Sequence, residues 1–173
     1  MIRLQLIGHR GCGKSSLLRR LESYFPDSSI HFLSLDTLIE KKYKKKISVI
    51  FASEGEEGFR EKEKATLSEV HKKFSGQSVV LDRGAGCLAP IESPWEALWV
   101  RRSVDLSQYQ FLNRPSLDGG LKMSPERFES RQKFYNEQAS NQYLMTVGWS
   151  QPNRYDKKFF QAYFGQATHF ENS

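Results

Sequence analysis

Eight residues near the start of the chain, Gly8-His9-Arg10-Gly11-Cys12-Gly13-Lys14-Ser15, carry the G-x-x-x-x-G-K-[ST] spacing of a phosphate-binding loop. An apolar run (Ile2, Leu4, Leu6, Ile7) precedes them, and Ser16-Leu17-Leu18-Arg19-Arg20-Leu21 follows with helical spacing. The motif therefore sits where a strand turns into a helix, the context its chemistry needs. Glycines there let backbone N–H groups turn inward toward phosphate oxygens, and the helix N-terminus adds partial positive charge. Lys14 is expected to reach the β- and γ-phosphates of ATP, and the Ser15 hydroxyl to hold Mg²⁺. Gly8, Gly11, Cys12, Gly13, Lys14, Ser15 and Ser16 form the expected nucleotide-binding set. Because a helix N-terminus lowers a thiol pKa, modification of Cys12 is expected to inhibit, with ATP protecting; the plainer reading of the residue is a small filler in the loop. The loop alone does not choose among kinase, hydrolase, switch and motor.

Those groups need a scaffold, and the periodicities describe one. Strands are expected over residues 2–7, 30–35, 77–81, 95–100 and 142–147. Helices are expected over 14–25, 104–112, 124–139 and 155–164, with a charged, helical region over 36–74 broken near 53–58. Ser124-Pro125-Glu126 is a strong helix start, with a capping hydroxyl, proline at the first helical position and an acid in the first turn. Residues 114–123, rich in Gly and Pro, read as a loop. Strands alternating with helices imply an α/β fold, a parallel sheet wrapped by helices, in one domain spanning 1–173. Ligands in such sheets bind beyond the strand C-terminal ends. That rule lines up the phosphate loop, Asp36 after the second strand, Asp82 after the third, and Gly84-Ala85-Gly86.

Bulk properties narrow the setting. A chain of 173 residues can bury a core without staples, and two cysteines, Cys12 and Cys87, make no disulfide framework and suggest a reducing compartment. No apolar run reaches the ~18–20 residues of a membrane span, and Met1-Ile2-Arg3 runs straight into the first strand pattern, so a cytoplasmic protein without membrane partners is expected. The net charge of +6 is densest at Lys41-Lys42-Tyr43-Lys44-Lys45-Lys46. Cations at a helix end suit its dipole, and no basic platform interleaved with aromatics is visible, so nucleic acid is not expected as a partner. A monomer is expected.

A second group of residues narrows the chemistry. Asp36-Thr37-Leu38-Ile39-Glu40, Ile47-Ser48-Val49-Ile50-Phe51 and Gly55-Glu56-Glu57-Gly58-Phe59-Arg60-Glu61-Lys62-Glu63 are followed in order by Gly84-Ala85-Gly86, Arg114-Pro115-Ser116-Leu117 and Arg131-Gln132-Lys133-Phe134-Tyr135. This series resembles the shikimate kinases from about residue 2 to residue 147. The resemblance implies a three-layer α/β/α P-loop kinase fold with a mostly five-stranded parallel sheet, a lid at about 113–123 and a substrate-binding helical region at about 36–62. It implies ATP-dependent phosphorylation of shikimate to shikimate 3-phosphate, with Mg²⁺. Lys14, Asp36 and Arg114 become the expected catalytic residues, and Asp36, Arg60, Gly84, Ala85, Gly86 and Arg131 the substrate-binding ones. The chemistry agrees, since a carboxylate needs guanidinium donors such as Arg60 and Arg131 and hydroxyls need an acceptor such as Asp36. Arg114 in a lid would complete the charge cradle on closure, and Arg154 is expected to stack on adenine. Each also has a plainer reading: Arg60 can pair with Glu56 or Glu63, Arg131 with Glu126 or Glu129, and Asp36 can cap its own helix.

Departures from the family pattern carry their own expectation. Ser34 stands where the family has the first aspartate of D-x-D, while Asp82 stands where it has a small residue, directly after Val79-Val80-Leu81. An apolar strand ending in Asp is a metal-shell arrangement, so the metal carboxylate is expected to have moved from the second strand to the third, at Asp82. Ala85 replaces the middle glycine of a triple and is tolerated if its φ stays negative; Lys44 replaces a helix-ending glycine. Two alternatives stay open: a sibling kinase of the gluconate type, and a degenerate kinase-like domain that binds nucleotide or ligand in a regulatory role.

Overall fold

The computed structural model describes residues 1–26, 28–102, 124–145 and 154–169. Five strands, β1 (Arg3–Ile7), β2 (Ile30–Ser34), β3 (Ser78–Asp82), β4 (Glu96–Arg102) and β5 (Asn141–Met145), form one sheet in the order β2-β3-β1-β4-β5. Every neighbouring pair is parallel. The helices are α1 (Lys14–Tyr24), α2 (Leu35–Tyr43), α3 (Ile47–Lys73), α4 (Pro125–Gln138) and α5 (Arg154–His169). The expected helix at 104–112 and lid at 113–123, with Arg114, lie outside the described residues.

A parallel sheet covered on both faces has apolar residues pointing both ways, so its central strands read as continuous hydrophobic runs. Val79, Val80 and Leu81 are such a run, and all three are fully buried. Val80, with Leu4 and Leu6, packs on one face against Leu17 and Leu21 of α1 and Phe160 and Phe164 of α5. Val79 and Leu81 pack on the other face against Leu35 and Ile39 of α2 and Ile50, Phe59 and Leu67 of α3. Burying side chains of this size is worth roughly 1.5–3 kcal/mol each. This is the expected α/β/α layering.

Two local differences bear on the site. β2 ends at Ser34, one residue before the expected end, so Asp36 lies in the first turn of α2 rather than at a strand end. The cap of α2 is Ser34, whose Oγ accepts the Thr37 backbone N–H at 3.4 Å, which corrects the reading of Asp36 as a cap. The charged region 36–74 divides twice. α2 stops at Lys44, which adopts the left-handed conformation (φ 52°, ψ 31°). α3 is broken at Gly55 (φ 71°, ψ −173°), inside the expected break. The lysine cluster at the end of α2 is tied to acids, with Lys42 on Glu69 at 2.7 Å, Lys46 on Glu40 at 2.9 Å and Lys45 on Glu54 at 3.4 Å.

Candidate active site

The phosphate loop leaves β1 and enters α1 through Gly13 (φ 106°), and no side chain caps the first amides of the helix. Those amides are left for an anion. Gly8 (φ 142°) is required for a second reason: a Cβ there would run into the Val100 carbonyl oxygen of β4. Lys14 is buried and folded back over the loop, its Nζ donating to the carbonyls of Gly8 at 2.7 Å and His9 at 3.1 Å. Ser15 Oγ donates to Asp82 Oδ2 at 2.6 Å. Asp82 ends β3, is itself buried, and is the register partner of Ser34 on β2. The two residues expected to serve the metal, Ser15 and Asp82, are thus in contact, and the carboxylate stands one strand from the position Ser34 occupies.

At Cys12 burial acts against the expected lowering of the thiol pKa, and the buried side chain is placed as a small filler would be. The thiol is 1 % exposed, and burial pushes its pKa up, outweighing the Lys14 charge and backbone hydrogen bonds that pull it down. Desolvation of a thiolate wins over the helix terminus here.

The second cluster forms where α3 and α4 meet the loop after β3. Arg60, on α3, donates to Glu63 Oε2 at 2.6 Å and to Glu56 Oε1 at 3.1 Å, so both expected helix-face partners are engaged. Burial pushes the Glu63 carboxyl up in pKa, and Arg60 holds it part of the way down. The glycines after β3 clear space for these groups. A Cβ at Gly84 would lie 2.9 Å from Glu63 Oε1 and 3.2 Å from Asp36 Oδ1, and one at Gly86 would collide with the Arg60 guanidinium. Two carboxylate oxygens thus converge over Gly84. Ala85 is not among the residues of positive φ, so its side chain is accommodated, and its carbonyl accepts the Tyr135 hydroxyl of α4.

A cavity of about 340 Å³ opens beside this cluster, walled by Glu56, Arg60, Gly86, Leu88, Arg127 and Arg131. Burial, with Arg127 and Arg60 close by, pulls the Arg131 guanidinium below its ordinary pKa, while Tyr135 and Glu56 act the other way. A site in which like charges strain against one another favours an anion. His9, in the phosphate loop, joins the two clusters. Its ring stacks on Phe128 of α4 with centroids 4.1 Å apart, and its Nε2 is 3.1 Å from Gln132 Oε1.

Sequence reasoning missed two groups. Arg127 lies one turn before Arg131 on α4, and that i, i+4 spacing on a helix with a clear start was the signal available. Arg83, 0 % exposed, donates to Gln5 Oε1 at 3.0 Å and to the Ala89 carbonyl, bracing the loop that carries Gly84 and Gly86. Arg154 begins α5, but its side chain lies outside the described residues, as does Arg114.

Comparison with known proteins gives a consistent result. The family model described as shikimate kinase matches residues 10–148. The shikimate kinase of Azobacteroides pseudotrichonymphae is 28% identical over 152 residues, covering 79% of this chain and 86% of that protein. The shikimate kinase of Dictyoglomus turgidum is 42% identical over 83 residues, 48% of this chain and 45% of that protein. A solved structure of shikimate kinase from Acinetobacter baumannii in complex with shikimate superposes with a TM-score of 0.71 at 21% identity, covering 96% of this chain and 94% of that one. Shikimate kinase from Aquifex aeolicus superposes with a TM-score of 0.69 at 24% identity, covering 96% and 98%.

Proposed function

We propose, since the chain belongs to the shikimate kinase family, that it transfers the γ-phosphoryl group of ATP to a hydroxyl of shikimate, giving shikimate 3-phosphate. The observation that carries this reading is the cavity of about 340 Å³ walled by both Arg60 and Arg131, next to the loop of Gly84 and Gly86. Two guanidiniums on one cavity suit a substrate carboxylate. The oxygens of Asp36 and Glu63 over Gly84 suit its hydroxyls, since carboxylates accept from O–H donors. A rigid cyclic acid can meet both sets at once.

The residues then divide the work as positioning and charge stabilisation. Lys14 exchanges the Gly8 and His9 carbonyls for the β- and γ-phosphates, while the free amides at the start of α1 receive phosphate oxygens. Asp36, exposed in the first turn of α2, orients the attacking hydroxyl and takes its proton. Glu63 fixes the Arg60 guanidinium, and Arg131 completes the carboxylate clamp. Arg114 is assigned a further positive charge at the phosphates, and Arg154 a surface for adenine.

The oxygen pair of Ser15 and Asp82, 2.6 Å apart, is a hard-ligand set of the kind Mg²⁺ takes together with phosphate and water. When bound there, the ion supplies charge neutralisation at the phosphate oxygens. Ser34, already engaged in capping α2, does not carry a charge for this purpose. The reading is tested by product analysis after incubation with ATP, Mg²⁺ and shikimate. A single phosphate ester on a ring hydroxyl, seen by ³¹P NMR and mass, is expected; unchanged shikimate alongside consumed ATP contradicts it.

A further inference from the structure

The cavity carries more positive charge than one carboxylate requires. Arg60, Arg127 and Arg131 all wall it, with Glu56 the carboxylate in the wall itself and Glu63 held by Arg60 beside it. The Glu56 carboxylate is occupied. Arg127 Nη2 donates to Glu56 Oε1 at 2.6 Å and to Oε2 at 2.8 Å, and Arg60 Nη2 reaches Oε1 at 3.1 Å. The Glu56–Arg127 pair spans 71 residues, joining α3 to α4. Arg127 and Arg131 stand one turn apart on α4, so they face the same space. Glu56 directly follows Gly55, the position where α3 departs from helical geometry, so it stands in the first turn of the helical segment that holds Arg60, one turn before that residue.

We propose that Glu56 acts as an internal stand-in for the substrate carboxylate, and that Arg127 is a third substrate-recognition residue, released to the substrate when Glu56 is displaced. The inference rests on the reading of this cavity as the substrate site. Guanidiniums crowded on one wall repel until an anion sits among them, and Glu56 supplies that anion in the free protein. A substrate carboxylate brings the same chemistry and competes for the same donors. The cost is a fraction of the protein held in the self-paired state, which lowers apparent affinity in proportion. Arg127 and Glu56 have side-chain exposures of 31% and 40%, so the pair lies at the cavity mouth where exchange is accessible.

A plain structural clasp between α3 and α4 predicts the opposite pattern, and the two are separated by sign. Binding of shikimate to the full chain, without nucleotide, is measured by calorimetry for the wild type, Glu56→Gln, Arg127→Met and the double variant. Benzoate serves as a second probe, carrying a ring carboxylate and no hydroxyls. Competition by Glu56 predicts that Glu56→Gln binds about 3–10-fold tighter and Arg127→Met about 10-fold or more weaker, with the Glu56→Gln gain reduced in the Arg127→Met background. A clasp predicts that both single variants weaken binding and that the double variant equals either; that result overturns the proposal. Melting curves of each variant confirm a folded chain, and Arg127→Lys, which keeps charge but not the fork, gives an intermediate affinity. Benzoate binding with the predicted signs but no shikimate binding supports the competition while refuting the shikimate reading. If neither probe binds the wild type or Glu56→Gln, the proposal fails.

Discussion

Removing the Asp82 carboxylate tests how this chain holds its metal. Asp82→Ala deletes the acceptor that Ser15 Oγ holds at 2.6 Å and takes away the charge beside it. Loss of one such partner around a metal typically costs 10–100-fold in affinity or activity, so the Mg²⁺ concentration giving half-maximal turnover should rise by about that factor. The register allows a rescue. Ser34 and Asp82 are directly paired on β2 and β3, and adjacent strands lie about 4.8 Å apart. Ser34→Asp combined with Asp82→Ala returns a carboxylate to the neighbouring strand end. Asp also caps helices as well as Ser does, so the start of α2 should tolerate it. The double variant should recover most of the lost Mg²⁺ affinity. The assay is a Mg²⁺ titration of turnover, paired with Mg²⁺-dependent ADP binding by calorimetry. If Asp82→Ala leaves both titrations unchanged, the carboxylate has not moved to β3 and the assignment is wrong.

Three further expectations follow from particular residues. Lys44→Gly relieves a left-handed lysine (φ 52°) at the end of α2, and should stabilise the fold by about 1 kcal/mol, seen as roughly 2–4 °C in melting temperature. His9 is held neutral by burial, with Lys14 and Arg131 adding to the effect against the Gln132 hydrogen bond, and its pKa falls from 6.5 to about 4. The unfolded chain therefore takes up a proton that the folded chain refuses, so this stability is present above about pH 6.5 and up to about 3 kcal/mol of it is lost as pH falls toward 4. Urea unfolding at several pH values should give a shallower acid dependence for His9→Phe than for the wild type; equal slopes would refute the assignment. The buried, upshifted Cys12 thiol should react with an aromatic disulfide reagent far more slowly at neutral pH in the folded chain than in urea, and equal rates would show that the loop opens readily.

The parts of the fold that were legible in the sequence are those set by short-range pattern. The phosphate loop declares itself because its glycines, lysine and serine must lie within eight residues between a strand and a helix. The break in α3 was marked by its glycine, and the start of α4 by Ser124 and Pro125, where Ser124 Oγ does accept the Arg127 backbone N–H at 3.2 Å. Asp82 stood out as an acid ending an apolar run, and the structure sets it 2.6 Å from Ser15 Oγ. The remainder depends on contacts that sequence spacing does not encode. Arg83 is fully buried against Gln5, 78 residues away, a contact that its place in the sequence does not announce. Glu56 and Arg127 meet only because α3 and α4 wall the same cavity. At Cys12 the local rule that a helix end lowers a thiol pKa gives way to burial, a tertiary property that spacing does not encode.

The central claim is tested most directly by acceptor-dependent ADP release. With ATP and Mg²⁺ present, shikimate should drive turnover within the ordinary range of about 1–100 s⁻¹ for kinases, while gluconate and the acceptor-free control stay at background. Release driven by gluconate, or no release with shikimate from a protein that still binds ATP, would contradict the account.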